Sequence, residues 1–246
     1  MSPMLPTNPR TALSRITAAL LFPLLPACQK ADTPTSTTPY NTMVETQIAA
    51  RGITNPATLA AMREVPRHEF VPPDLRAEAS GDHPLPIGHG QTISQPYIVA
   101  FMTDAIRPQA GERILEIGSG SGYQAAILAH SGAEVFTMEI IAPLAEMARQ
   151  NLERLGIKNV HVRHGDGHRG WPELAPFDAI IVTCAPDHIP PDLVAQLRDG
   201  GRMIIPVTSG LHQELILLHK QANTMEKQSI LPVRFVPMTG NATEDR

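Results

Sequence analysis

The sequence predicts an α/β protein: a doubly wound, mostly parallel, seven-stranded sheet with an N-terminal helical extension. Three observations predict it. From residue 113 onward, runs of β-branched and aliphatic residues alternate with helix-patterned stretches. The repeated strand–helix–strand units imply a parallel sheet covered on both faces, and FDAIIVTC (177–184) carries the apolar run expected there. Glycines punctuate the points where one kind of stretch gives way to the other.

The elements follow in order. Met43, Val44, Ile48, Leu59 and Met62 keep helical spacing, and Gly52 and Asn55-Pro56 divide them into two helices. From Val65-Pro66 to His89 the chain is Pro-rich and predicted irregular. RILEIG (113–118) reads as a strand, YQAAILAH (123–130) as a helix, and EVFTMEI (134–140) as a strand. A helix runs from Pro143 to Leu155, with Pro in its first turn and Gly156 just past its end. NVHVRH (159–164) and FDAIIVTC (177–184) are strands. PPDLVAQLRDGG (190–201) reads as a short helix ending in glycines. RMIIPV (202–207), ELILLHK (214–220) and ILPVRFV (230–236) complete the seven strands.

Composition narrows the functional classes. The 246 residues suit one large domain or two small ones, and 42% apolar residues suit a packed core. A net charge of −4 argues against a nucleic-acid partner. Two cysteines allow at most one disulfide.

Arg10 and Arg15 precede an apolar run, Ile16 to Pro26, with no acidic residue before Asp32. That pattern reads as a secretory signal over residues 1–27. Leu25-Pro26-Ala27-Cys28 resembles the lipobox of bacterial lipoproteins, although Pro26 departs from its usual small residue. The resemblance implies lipidation of Cys28, a membrane tether through that residue, and an exported, periplasmic or membrane-anchored protein. An uncleaved start and a cytoplasmic protein is the alternative. Residues 28–42 are rich in Thr, Pro and Ser and read as an extended tether, followed by one domain over 43–246. A monomer is expected.

The chemistry-bearing stretch is ILEIGSGSGYQ (114–124). Gly118, Gly120 and Gly122, with Ser119 between them and Tyr123 after them, stand between a strand and a helix. Glycines there let a ligand approach the backbone at a helix N-terminus. Glu139 ends the next strand, about 20 residues on, where a carboxylate can accept from both ribose hydroxyls. Glu116 is placed beside the ligand's amino-acid end. In Gly165-Asp166-Gly167 the acid is placed to meet an adenine amino group. Together these residues predict a nucleoside site.

The pattern E-x-G-x-G-x-G, a ribose acid and GDG resemble class I methyltransferases, whose Rossmann-like fold binds S-adenosyl-L-methionine. LPIGHGQTISQPYIVAFMTDAI (85–106), VPRHEFVP (65–72), HGDGHRGWPELAPFDAIIVTCAP (164–186), LRDGGRMIIPV (197–207) and RFVPM (234–238) resemble, in order, blocks of the protein-L-isoaspartate O-methyltransferase family. The resemblance implies methylation of the free α-carboxylate of isoaspartyl residues in damaged peptides and proteins, the first step of their repair. It implies Ser94 as the catalytic residue, Thr92 and Gly167 beside the cofactor, and Ile93, Gln95, Val182, Thr183, Ala185 and Pro186 along the substrate. Ser94 also reads as a helix cap before Pro96. Cys184 stands where the family usually has Ala, and His168 where it often has an aromatic. No metal is expected: His161 and His164 face opposite sides of a strand, Asp166 already has a ligand role, and Cys184 reads as a buried free thiol. A same-fold methyltransferase with another carboxylate or small-molecule acceptor, or a silent cofactor-binding lipoprotein, are the competing readings.

Overall fold

The computed structural model describes residues 39–222 and 224–240, all within one compact unit, Thr37–Arg246. The predicted signal segment, Cys28 and most of the tether lie outside the described residues. The tether's predicted end does not stay extended. Pro39–Met43 forms α1, which continues as a π turn (Val44–Ile48) and a 3₁₀ turn (Ala49–Arg51). Tyr40 is what anchors it: its ring stacks on His68, and its hydroxyl lies 2.6 Å from His68 Nδ1. Asn55 caps α2 (Pro56–Glu64) through its side-chain oxygen, which accepts from Ala57 N and Thr58 N.

Two elements occupy the stretch before residue 113. A short hairpin, β1 (Leu85–Gly88) and β2 (Gln91–Ile93), interrupts the segment predicted irregular. α3 (Pro96–Ile106) follows, and its cap is not the Ser94 side chain: Gln95 holds that position without a side-chain cap bond. Asp82 supplies the cap instead, its Oδ1 accepting from Tyr97 N at 2.9 Å. An acceptor brought in from a distant turn is invisible to local sequence rules.

The main sheet runs β5 (Val160–His164), β4 (Glu134–Glu139), β3 (Arg113–Ile117), β6 (Phe177–Val182), β7 (Leu197–Ser209), β8 (His212–Gln221) and β9 (Thr224–Val233). The first five are parallel, and β8 and β9 are antiparallel hairpin additions. Helices α4 (Tyr123–Ala129), α5 (Ala142–Arg154) and α6 (Pro191–Gln196) cross between parallel strands. α5 buries Leu144, Ala145, Ala148 and Leu152, a helical-period stripe, while every residue of α4 is buried. Chain order reverses across β3, with β4 on one side and β6 on the other. Such switch points open a crevice at the strands' carboxyl ends.

Two strand boundaries differ from expectation. The segment 197–201 extends β7 rather than α6, because Leu197 pairs with Phe177 across a bulge before Arg202 pairs with Ala179. Gly200, at φ +72°, takes the turn within it. β9 starts at Thr224 and releases the chain after Val233, so residues 234–236 leave the ladder. They cross toward β6 instead: Ala185 N donates to Val236 O (2.8 Å), and Met238 N donates to Ala185 O (2.9 Å).

Candidate active site

Three adjoining voids open at the carboxyl ends of β3, β4 and β6. The first is a cleft of about 560 Å³, its open mouth included, between the Gly118–Gly120 backbone, Glu139, Gly167 and the returning segment Val236–Thr239. On the same measure the third is a broad groove of about 1670 Å³, walled by Ser94, Tyr97 and residues Leu231–Pro237. A connecting void of about 340 Å³ lies between them. Thr92 and Thr183 line all three, whereas Ser94 lines the connecting void and the groove.

Close packing enforces the glycine positions. Gly118 sits at φ +97°, and a Cβ there would run into Thr183 Oγ1. That hydroxyl is fixed, donating toward Gly118 O (2.7 Å) and Ile117 O (3.0 Å). A Cβ on Gly167 would strike Ile117 Cγ2, at the floor of the cleft. Gly122, at φ +91°, caps the start of α4 and packs near Leu152, away from the cleft lining.

The acids divide into two kinds. Glu139 is buried at the cleft wall, its Oε2 accepting from Gly120 N (2.9 Å) and its Oε1 from Ile141 N (3.0 Å). Each oxygen keeps a second lone-pair site, and the residue lines the cleft. Glu116 lies beneath the loop, fully buried, and lines none of the three voids. Neither of its oxygens has a hydrogen-bond partner. The nearby Thr137 hydroxyl is engaged with Ser119 Oγ at 2.7 Å, which also turns the Ser119 side chain inward. Burial pushes the Glu116 carboxyl up from 4.5 to about 8; the Glu139 charge adds to the rise and Thr137 opposes it.

This carboxyl leaves a trace in stability. The folded protein keeps its proton up to about pH 8, whereas the unfolded chain releases it near 4.5. Its contribution is therefore whole below about pH 4.5 and is lost as pH rises through about 8. Glu116→Gln stays neutral, so the parent's unfolding free energy should fall relative to the variant's between about pH 5 and pH 8. Chemical denaturation at each pH measures this; a pH-independent difference would mean Glu116 is ionised throughout.

Other predicted residues make contacts within the protein or lie off the linings of the three voids. Asp166 Oδ1 accepts from His168 N (3.0 Å) and lies 3.1 Å from His168 Nδ1, with Gly240 packed against its carboxylate. The cleft is reached by Gly167 rather than by Asp166. Tyr123 is buried, its hydroxyl 3.9 Å from Met62 Sδ, and only borders the connecting void. Val182, Ala185 and Pro186 are buried and line no void; Ala185 and Pro186 spend their backbone on Val236, Met238 and Thr208. Ile93 borders the connecting void and Gln95 the groove. Cys184 borders the cleft, and burial pushes its thiol up to about 12, with Glu139 and Glu116 adding to the rise. Among the described residues no group of His, Cys, Asp and Glu is arranged to hold a metal ion.

The sequence reading missed the groove's far wall, although RFVPM (234–238) marked part of it. It also missed Arg67. This arginine is fully buried and donates from Nη1 to Ala79 O (2.9 Å) and from Nη2 to His83 O (3.1 Å) and Ser94 O (2.9 Å). It thus holds Ser94 from beneath, while Asp82 Oδ2 accepts from Gln95 Nε2 at 2.7 Å.

A family profile described as "Protein-L-isoaspartate(D-aspartate) O-methyltransferase (PCMT)" matches residues 38–243. A protein-L-isoaspartate O-methyltransferase of Opitutus terrae is 56% identical over 198 residues, covering 80% of this chain and 85% of the relative. One of Polaromonas sp. is 57% identical over 184 residues, covering 74% and 87%. A solved Plasmodium falciparum structure of this type, in complex with S-adenosyl-L-homocysteine, is 26% identical with a TM-score of 0.72, covering 82% of this chain and 99% of that one. With the glycine loop, the buried Glu139 and the Thr92–Ser94 segment converging on adjoining voids, these matches show that the chain belongs to the protein-L-isoaspartate(D-aspartate) O-methyltransferase family.

Proposed function

We propose that the cleft holds S-adenosylmethionine and the broad groove an L-isoaspartyl peptide, so that reaction takes place in the void joining them. The activity is S-adenosylmethionine-dependent methylation of the isoaspartyl carboxylate, which initiates protein repair. One observation carries the residue assignment: the glycine loop and Ser94 line the same connecting void.

The residues suit this donor. Glu139 offers two carboxylate oxygens already oriented by backbone N–H groups, as a pair of ribose hydroxyls requires. The unpartnered Glu116 carboxyl and the Ser121 hydroxyl, both buried, leave polar capacity under the loop. When bound, the donor supplies a methyl group on a positively charged sulfur. Glu139→Ala should weaken donor binding by roughly 1–3 kcal/mol, the cost of removing a charged hydrogen-bond partner. Calorimetric titration measures it, and an unchanged dissociation constant would refute the ribose assignment.

The connecting void is lined by hydroxyls, amides and apolar groups, with no His, Lys or carboxylate. That lining suits an acceptor that needs no base. The α-carboxylate exposed by an isoaspartyl linkage has a pKa of about 3.3–3.7 and is already ionised. What remains is positioning, worth roughly 7–11 kcal/mol in favourable cases. Thr183 has committed its proton to Ile117 O and Gly118 O, whereas Ser94 and Thr92, which line both the connecting void and the groove, are placed to orient the anion. Neutral donors hold it without quenching it as a guanidinium would. Transfer of labelled methyl to an isoaspartyl peptide but not to its aspartyl twin tests the acceptor class; equal transfer would overturn it. The Leu25–Cys28 segment supports a lipid-anchored, exported enzyme, tested by lipid labelling at Cys28 and fractionation.

A further inference from the structure

The broad groove carries a charge bias that the methyl-transfer chemistry does not use. Its lining includes two guanidinium groups, Arg51 and Arg234, and no carboxylate, in a chain whose net charge is −4. The rest of that wall is largely apolar or prolyl, including Pro84, Ile98, Leu231 and Phe235. Low-dielectric walls of this kind strengthen the field of a charge at their rim.

The two arginines are presented differently. Arg51 closes the helical extension and lies over Tyr97, its guanidinium carbon 3.3 Å from the ring centroid. Nη1 donates to Asp82 Oδ2 at 2.8 Å. Among the described residues Asp82 is the one charged group paired with it, and the same carboxylate also accepts from Gln95 Nε2 and Tyr97 N. Stacking and pairing fix Arg51 in one orientation while the Nη2 and Nε protons stay unspent, a preorganised fork for a carboxylate. Arg234 is exposed, just past β9, and makes no hydrogen bond or ion pair with any described residue.

We propose that Arg51 and Arg234 select acceptor peptides bearing acidic residues beside the isoaspartyl residue. The inference rests on the acceptor reading above and adds a substrate preference to it. The target carboxylate must stay nucleophilic, and neutral hydroxyls surround the point where it reacts. The cations instead line the groove beyond that point, where an extended peptide, rising about 3.3 Å per residue, places its neighbouring side chains.

Three isoaspartyl peptides, identical except for Glu, Ala or Lys on both sides of the isoaspartyl residue, test it with the full-length protein. kcat/KM should rank Glu above Ala above Lys, with about fivefold per step at low salt, the upper end for exposed ion pairs. The spread should narrow in about 0.5 M NaCl, where screening acts within a few ångströms. Arg234→Gln and Arg51→Gln should each bring the Glu-to-Lys ratio toward one. Equal kcat/KM across the three peptides, or a ratio unchanged in both variants, overturns the charge selection while leaving the acceptor class intact. Failure of every peptide to accept methyl refutes the acceptor reading and the selection with it.

Discussion

Ser94→Ala lowers methyl transfer to an isoaspartyl peptide about 100-fold, the scale on which misplaced reactants lose rate, while the donor's dissociation constant stays within about twofold. The asymmetry follows from where Ser94 lies. It borders the groove and the connecting void but not the cleft, so its loss leaves Glu139 and the glycine backbone untouched. No described protein group takes up its hydroxyl, which leaves the donor free for an incoming anion. Turnover with saturating donor, together with calorimetric titration of that donor, separates the two effects. An unchanged kcat would remove Ser94 from the mechanism, and a matching loss of donor affinity would place it in the wrong compartment.

Arg67→Met is expected to have the largest effect on stability, about 3 kcal/mol, because it strands the carbonyls of buried Ala79 and half-buried Ser94 at about 1–3 kcal/mol each and frees that of exposed His83 to water. Those carbonyls belong to Ala79, His83 and Ser94, three separate turns that one planar guanidinium gathers. Burial lowers the pKa of Arg67, and the side chain still keeps its proton. Its ring neighbour Tyr123 lies 5.9 Å away, an additional favourable contact for a desolvated cation. Arg67→Lys retains the charge but loses the fork that bridges the turns, so it should recover only part of the loss. Urea unfolding measures the stability change. Turnover of the folded fraction reports the second consequence, a Ser94 carbonyl without its anchor. A parent-like unfolding midpoint in Arg67→Met would refute the account.

The parallel core was legible because its signals are local. Strands at 113–117, 134–139, 160–164 and 177–182 coincide, within a few residues, with runs such as Ile114-Leu115 and Ile180-Ile181 that carry their own apolar pattern. Gly118 and Glu139 were legible for the same reason, since a strand end and the turn after it are adjacent in sequence. What escaped depends on distant partners. Residues 197–201 read as a helix end, yet pairing with Phe177 extends β7 through them. Ala185 and Pro186 lie off the void linings, the Ala185 backbone bonded to Val236 and Met238 of the returning chain and the Pro186 carbonyl to Thr208 N. The contacts of Asp166 with the His168 N–H and with the returning chain at Gly240 carry no mark in the sequence. A lone arginine in a polar-looking stretch gives no hint that three carbonyls will surround it, so Arg67 passed unnoticed.

The stretch after β9 serves two compartments at once. Val236 and Pro237 border both the cleft and the groove, pinned through Ala185 to the turn after β6 and to β8 through the Phe235 N–H bond to Gln213 Oε1 at 2.6 Å. A single party wall cannot be settled by one tenant without changing the terms for the other. Should an occupant on one side displace Val236 or Pro237, affinity on the other side changes, and by thermodynamic reciprocity the two influences are equal in size.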